Sequence, residues 1–282
     1  MKDAKYLIAY IAPLSAVAGL YLGGWWSFGM TYVAFGVIPF FELFLPKSID
    51  NHAAEAEDDR SRHPFFDVLL YSHVPIMYGL IAWAFVKLQS GDLSRLETVG
   101  MTFNIGIMIG AFGINVAHEL GHRNSKFEQF LSKTLLLPAL YQHFFIEHNR
   151  GHHKNVATEI DPATSRKGEN IYAFWWRSVT GSYWDAWALE ADRLQRAGKS
   201  SFSFDNEMIR FQFIQLAYLG GIWALFGGPS VIFAILAAII GFLLLETVNY
   251  IEHYGLQRQL QENGRYEQIG RASCRERVCL AV

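Results

Sequence analysis

Long apolar runs separated by short polar connections set the pattern of this chain. Six runs are long enough to cross a bilayer as helices, which takes about 20 residues: Tyr6–Gly24, Ser27–Leu45, Phe65–Val86, Val99–Ala117, Ile209–Gly227 and Pro229–Tyr250. The first begins a few residues from Met1, has no small-residue cleavage site before a polar region, and is followed at once by another run. It reads as a retained helix and not as a signal peptide. The pattern predicts an all-α integral membrane protein with six transmembrane helices, with no internal repeat or low-complexity stretch.

Composition agrees. The 282 residues are 51% hydrophobic, 15% aromatic and 18% charged, against about 25% charged in a typical soluble domain. The net charge of −2 hides a strong asymmetry. With the N-terminus inside, the outer connections are 23–26, 87–98 and 227–230, and they hold only Lys87 and Arg95 of the 24 basic residues. Basic residues gather on the cytoplasmic side of membrane proteins, which places this chain in the cell inner membrane with its polar segments in the cytoplasm. The acidic stretch Asp50–Asp59 reads as a solvated inner loop, with a docking surface for a basic partner as the other reading. No nucleic-acid partner is expected.

The last stretch, IGRASCRERVCLAV, has no helical or strand period and carries both cysteines, Cys274 and Cys279. It reads as translated sequencing adapter, so residues 1–267 form the expected membrane domain and 268–282 a non-native tail. The domain then has no cysteine to form a disulfide or a thiolate metal site, and its natural chain is expected to continue past Glu267.

Histidines carry the chemistry. His118 and His122 in HELGH are four apart, hence on one helical face, where the fourth run leaves the membrane. In HNRGHH, His148 and His152 repeat that spacing, while His153 points about 100° away on an α-helix. His253 in NYIEHYG closes the sixth run. Tetrahedral zinc takes three or four protein ligands, so six imidazoles at one membrane depth favour two metals. Imidazole suits iron, copper or zinc, and ligand type alone leaves the metal open. Each cluster also has a plainer reading. HELGH matches the H-E-x-x-H of zinc proteases, HNRGHH fits a solvated basic loop, and His253 fits a cap; the convergence argues against them jointly. His52 and His63 read as solvated, His73 as a hydrogen-bonded interior histidine, and His143 as a neighbour of the site at most.

HELGHR, HFFIEHNRGHH, VATEIDPATSRKGE, SFDNE and NYIEHYGLQRQ together resemble the membrane alkane 1-monooxygenases, the integral-membrane di-iron hydroxylases that include xylene monooxygenase, from about Tyr6 to Glu267. The resemblance implies two irons held by His118, His122, His148, His152, His153 and His253, terminal hydroxylation of alkanes with O2, and electrons from rubredoxin. It also implies a substrate channel rising from the membrane core. Glu119, Glu147, Asp161 and Glu252 are candidates to orient the imidazoles. Ala117 stands where many members have glycine. The family's downstream box of the form HSDHH is missing, which implies under-coordinated irons and an inactive polypeptide from an active parent. Ala34 matches a position that is small in long-chain members, which points to alkanes longer than about twelve carbons and a narrow apolar channel to orient them; its plain reading is close helix packing. The alternatives are a membrane fatty-acid desaturase or hydroxylase, and an intramembrane zinc protease.

Overall fold

The computed structural model describes residues 2–44, 64–261 and 266–267. The acidic stretch with His52 and the nearby His63, and the tail 268–282, lie outside the described residues. Helix α1 (Ile11–Leu22) follows a 3₁₀ segment and stops at Gly23, whose φ of 67° only glycine adopts cheaply. The second apolar run is built of short helical pieces over 24–42, including a π-turn at Val33–Val37 that carries Ala34. Helix α2 spans Pro64–Gln89 and α3 spans Arg95–His122. Ser94 and Glu97 cap each other's backbone at the start of α3, as S-x-x-E before an apolar run predicts. Helix α4 is Lys126–Leu136, and α5 covers 144–155 with a π-turn at His148–His152. Helices α6 (Ile171–Arg196) and α7 (Glu207–His253) complete the fold.

A straight helix of 47 residues would be about 70 Å long. Yet Glu207 lies 4.0 Å from Arg150 while the His253 ring lies 5.0 Å from that of His152. The two ends of α7 therefore sit together, and the chain folds back at Gly227, which has φ 76° and ψ 174°. Pro229 starts the return.

Among the described residues three helices are long and apolar enough to span a bilayer: α2, α3 and α7. Within its most apolar stretch α3 is 72% buried and α7 only 33%, which makes α3 the central helix. Gly106 and Gly110 of α3 let it approach α7: a Cβ on Gly110 would stand 2.7 Å from the Gly241 carbonyl. Outward-facing Leu14, Phe35, Val68, Trp223 and Ile232 stay exposed, an apolar surface suited to lipid. The bundle has two distinct ends. At one, Gly24 donates to Glu97 and Gln89 to the Leu225 carbonyl; the histidines gather at the other.

Candidate metal centre

Arg123, just past the HELGH box, fixes the end of α3. Its guanidinium bonds Asp67 of α2 at 2.7 Å and Glu128 of α4 at 2.6 Å, with Glu119 at 3.5 Å. Ser132 of α4 donates to the Ala117 carbonyl. The last turn of α3 is thereby held from two sides. A π-turn at Met108–Ile114 precedes it and sets the direction in which His118 and His122 point.

Imidazoles from α3 and α5 meet there. The Nε2 atoms of His118 and His122 are 2.9 Å apart, and those of His122 and His153 are 3.2 Å apart. The His148 ring lies 4.4 Å from that of His118 and 4.5 Å from that of His153. One ligand atom from each of His118, His122, His148 and His153 falls within 4.8 Å of the others, an arrangement that could hold a metal ion. His148 is buried at the base; His122 and His153 lie exposed at the rim.

The expectation that His153 points away from His148 needs correcting. The π-turn widens the spiral and brings the His153 ring within 4.5 Å of that of His148, while His148 and His152 stay stacked at 5.2 Å as their spacing predicts. The His152 ring also lies 5.0 Å from that of His253, and its Nδ1 meets the Asp161 carboxylate at 3.0 Å. His253 Nδ1 faces the Ala163 carbonyl at 3.3 Å. The six expected residues therefore lie in one layer, as a group of four and an adjoining pair.

The proposed supporting carboxylates separate. Asp161 is buried; burial pushes its carboxyl up, but hydrogen bonds from His152, Thr164 and the Ala163 amide bring it below the ordinary range. Glu147 is buried with Oε1 unpartnered. Burial pushes its carboxyl up to about 8, opposed by His152 and reinforced by Asp161 and Asp185. Glu119 instead pairs with Arg123, and Glu252 is half-buried beside His253. His73 is the interior histidine expected, with Nδ1 on the Leu69 carbonyl and its ring stacked on Phe112. His143 is buried against Tyr141 with Nε2 unpartnered. Ala34 is half-buried and packs on the core. One residue of the site region escaped the sequence reading. Glu246, buried within α7, accepts hydrogen bonds from Tyr141 and Ser178. A lone carboxylate in the apolar LLLETV was the available signal.

The donor set fits a metal. Nε2 of His148 is buried with no hydrogen-bond partner, and a buried nitrogen left so costs about 1–3 kcal/mol. Burial, with the neighbouring imidazoles, holds this ring well below its ordinary pKa. It is therefore neutral and able to coordinate.

Fold and site together define, over the described residues, a helical membrane protein with a four-histidine group at one end that could hold a metal ion. Residues 98–276 match the family described as fatty acid desaturase. Over 271 residues the chain is 36% identical to the alkane 1-monooxygenase of Ectopseudomonas oleovorans and 37% identical to that of Pseudomonas putida, covering 94% of this chain and 67% of each relative. It is 28% identical over 267 residues to the xylene/toluene monooxygenase hydroxylase component of Pseudomonas putida, covering 93% and 70%. The chain belongs to the alkane 1-monooxygenases, within that desaturase-like family.

Proposed function

We propose that the chain is the membrane body of an oxygenase that converts medium- to long-chain alkanes into 1-alkanols with O2 and electrons from rubredoxin. The observation that carries this reading is the four-histidine group with the His152–His253 pair beside it, in a chain of this family. Two irons would be held by His118, His122, His148, His152, His153 and His253, and iron bound there supplies the activation of dioxygen. The net change is RH + O2 + 2 e⁻ + 2 H⁺ giving ROH and water.

The chain's own residues orient and exclude. Asp161 accepts from Nδ1 of His152 and leaves Nε2 for the metal. Phe144, stacked on His148 at 4.6 Å between centroids, keeps water from the base of the site. An alkane offers no polar handle, so its terminal carbon must be aimed by an apolar channel between helices. The run 24–42 with Ala34 supplies one wall of it. Six spans, with the histidine layer on the cytoplasmic side of the inner membrane, agree with the basic-residue asymmetry and with the shared end of the bundle.

Two measurements test this. Metal analysis of the full-length parent should find about two irons per chain; one zinc would favour the protease reading. Turnover of the natural reading frame with ¹⁸O2 should give a labelled 1-alkanol, and a modified acyl chain instead would favour a desaturase.

A further inference from the structure

The segment 161–169, part of the VATEIDPATSRKGE motif, touches two imidazoles that come from different helices. Asp161 receives His152, and the carbonyl of Ala163, two residues on, receives His253; the His253 ring also bonds the Asn249 backbone. Asp161 is itself fixed by Thr164 Oγ1 and the Ala163 amide at 3.2 Å. The end of α7 ties one side of this strap, with Ser165 donating to the Tyr250 carbonyl, the Tyr250 hydroxyl to the Glu169 carbonyl, and the Gly168 amide to the Tyr254 hydroxyl. A single guanidinium on α6 holds it from the other side. Arg177 donates at 2.9 Å to the carbonyls of Pro162 and Thr164, the residues on either side of Ala163. Two further donors grip Glu169, at the far end of the strap, through both carboxylate oxygens at 2.8 and 2.7 Å. The planar fork of arginine matches four acceptors in fixed directions, which an ammonium cannot do.

We propose that Arg177 is a positioning residue for the metal layer: by clamping the strap on both sides of Ala163 it orients His152 and His253 together, with Nδ1 of each turned to the strap. This gives the pair a common brace, distinct from the Arg123 anchor under His118 and His122. The inference rests on the two-metal reading above.

The test compares the wild-type chain with Arg177→Met, which keeps length but removes every donor, and Arg177→Lys, which keeps the charge but not the fork. Ring ¹⁵N signals of the metal-free chain in detergent, assigned through His152→Gln and His253→Gln, report the tautomer. Cobalt(II) titration followed by visible absorption reports binding. The wild type should show Nδ1–H at both rings. In both variants the rings should become tautomer mixtures, and the second cobalt equivalent should weaken on the order of 10–100-fold, as for other residues that orient metal ligands. The first equivalent, at the four-histidine group, should be unchanged, and it also reports folding. Unchanged tautomers overturn the proposal, as does loss of both equivalents together, which makes Arg177 a general brace. A wild type that binds one equivalent counts against the two-metal reading alone, and the ring signals then decide the role of Arg177.

Discussion

His152 and Asp161 form a buried pair, Nδ1 to Oδ2 at 3.0 Å, with side chains 2% and 0% exposed. An imidazole held by one nitrogen presents the other in a fixed direction, the usual way a carboxylate prepares a metal ligand. Asp161→Asn keeps the shape but exchanges a pure acceptor for a group whose NH2 can face His152. Metal affinity should fall on the order of 10–100-fold, with little change in helix content. Cobalt titration and circular dichroism of the same sample measure both, and unchanged affinity would remove Asp161 from this role.

His148 should trade stability against binding. Its unpartnered buried Nε2 burdens the metal-free fold, so His148→Leu should raise metal-free stability by about 1–3 kcal/mol. The same variant should no longer be stabilised by added metal. Thermal unfolding with and without cobalt separates the two effects; a less stable metal-free variant would show that the imidazole packs better than it bonds.

The contact between α3 and α7 depends on glycine. A Cβ at Gly110 would meet the Gly241 carbonyl at 2.7 Å and its Cα at 3.2 Å, backbone atoms that cannot swing aside. Gly110→Ala should therefore cost about 1–3 kcal/mol, the usual range for overpacking. Gly36→Ala, with nothing within 4 Å of its Cβ, is the control and should stay within about 0.5 kcal/mol. Equal melting temperatures for the two would contradict this packing.

Glu190 sets an acid limit on the far side of α6. Burial pushes its carboxyl up, but hydrogen bonds from Arg193, the Glu207 amide and Arg150 outweigh that and hold it at about 2. A carboxyl depressed in the folded state stabilises above its unfolded pKa and loses that contribution as pH falls through the folded value. The stability gap between wild type and Glu190→Gln should thus be wide at pH 6 and shrink from about pH 4.5 downward. A gap independent of pH would mean that the carboxylate charge is not the source.

Ala34 tests the channel. In an active full-length form, Ala34→Trp should shorten the longest alkane accepted, because an indole would intrude where a methyl now sits. An unchanged product-length distribution would reduce Ala34 to a packing residue.

Much of this architecture was legible because burial and lipid exposure both select apolar residues, so the runs could be read directly. The fold-back at Gly227 was announced by GGPS, whereas the SRLE cap went unread although its spacing carries the signal. The second run was harder: residues 24–42 are as apolar as a span but break into short pieces, and composition does not register a broken backbone. The π-turns were illegible for a related reason. One extra residue per turn leaves sequence spacing untouched while moving His153 beside His148. Pairing preferences were also hidden. Glu119 turned to Arg123, four residues on, whereas Asp161 reached His152 through a loop whose path no periodicity records.

The return arm after Gly227 runs from Pro229 to His253, a lever of roughly 36 Å. A tilt of about 5° at its far end moves the histidine by roughly 3 Å over that length, more than a metal–ligand bond. Bilayer thickness acts on helix tilt, so a change of thickness that tilted this arm would be felt at His253. The close contacts at Gly106 and Gly110 resist such a swing.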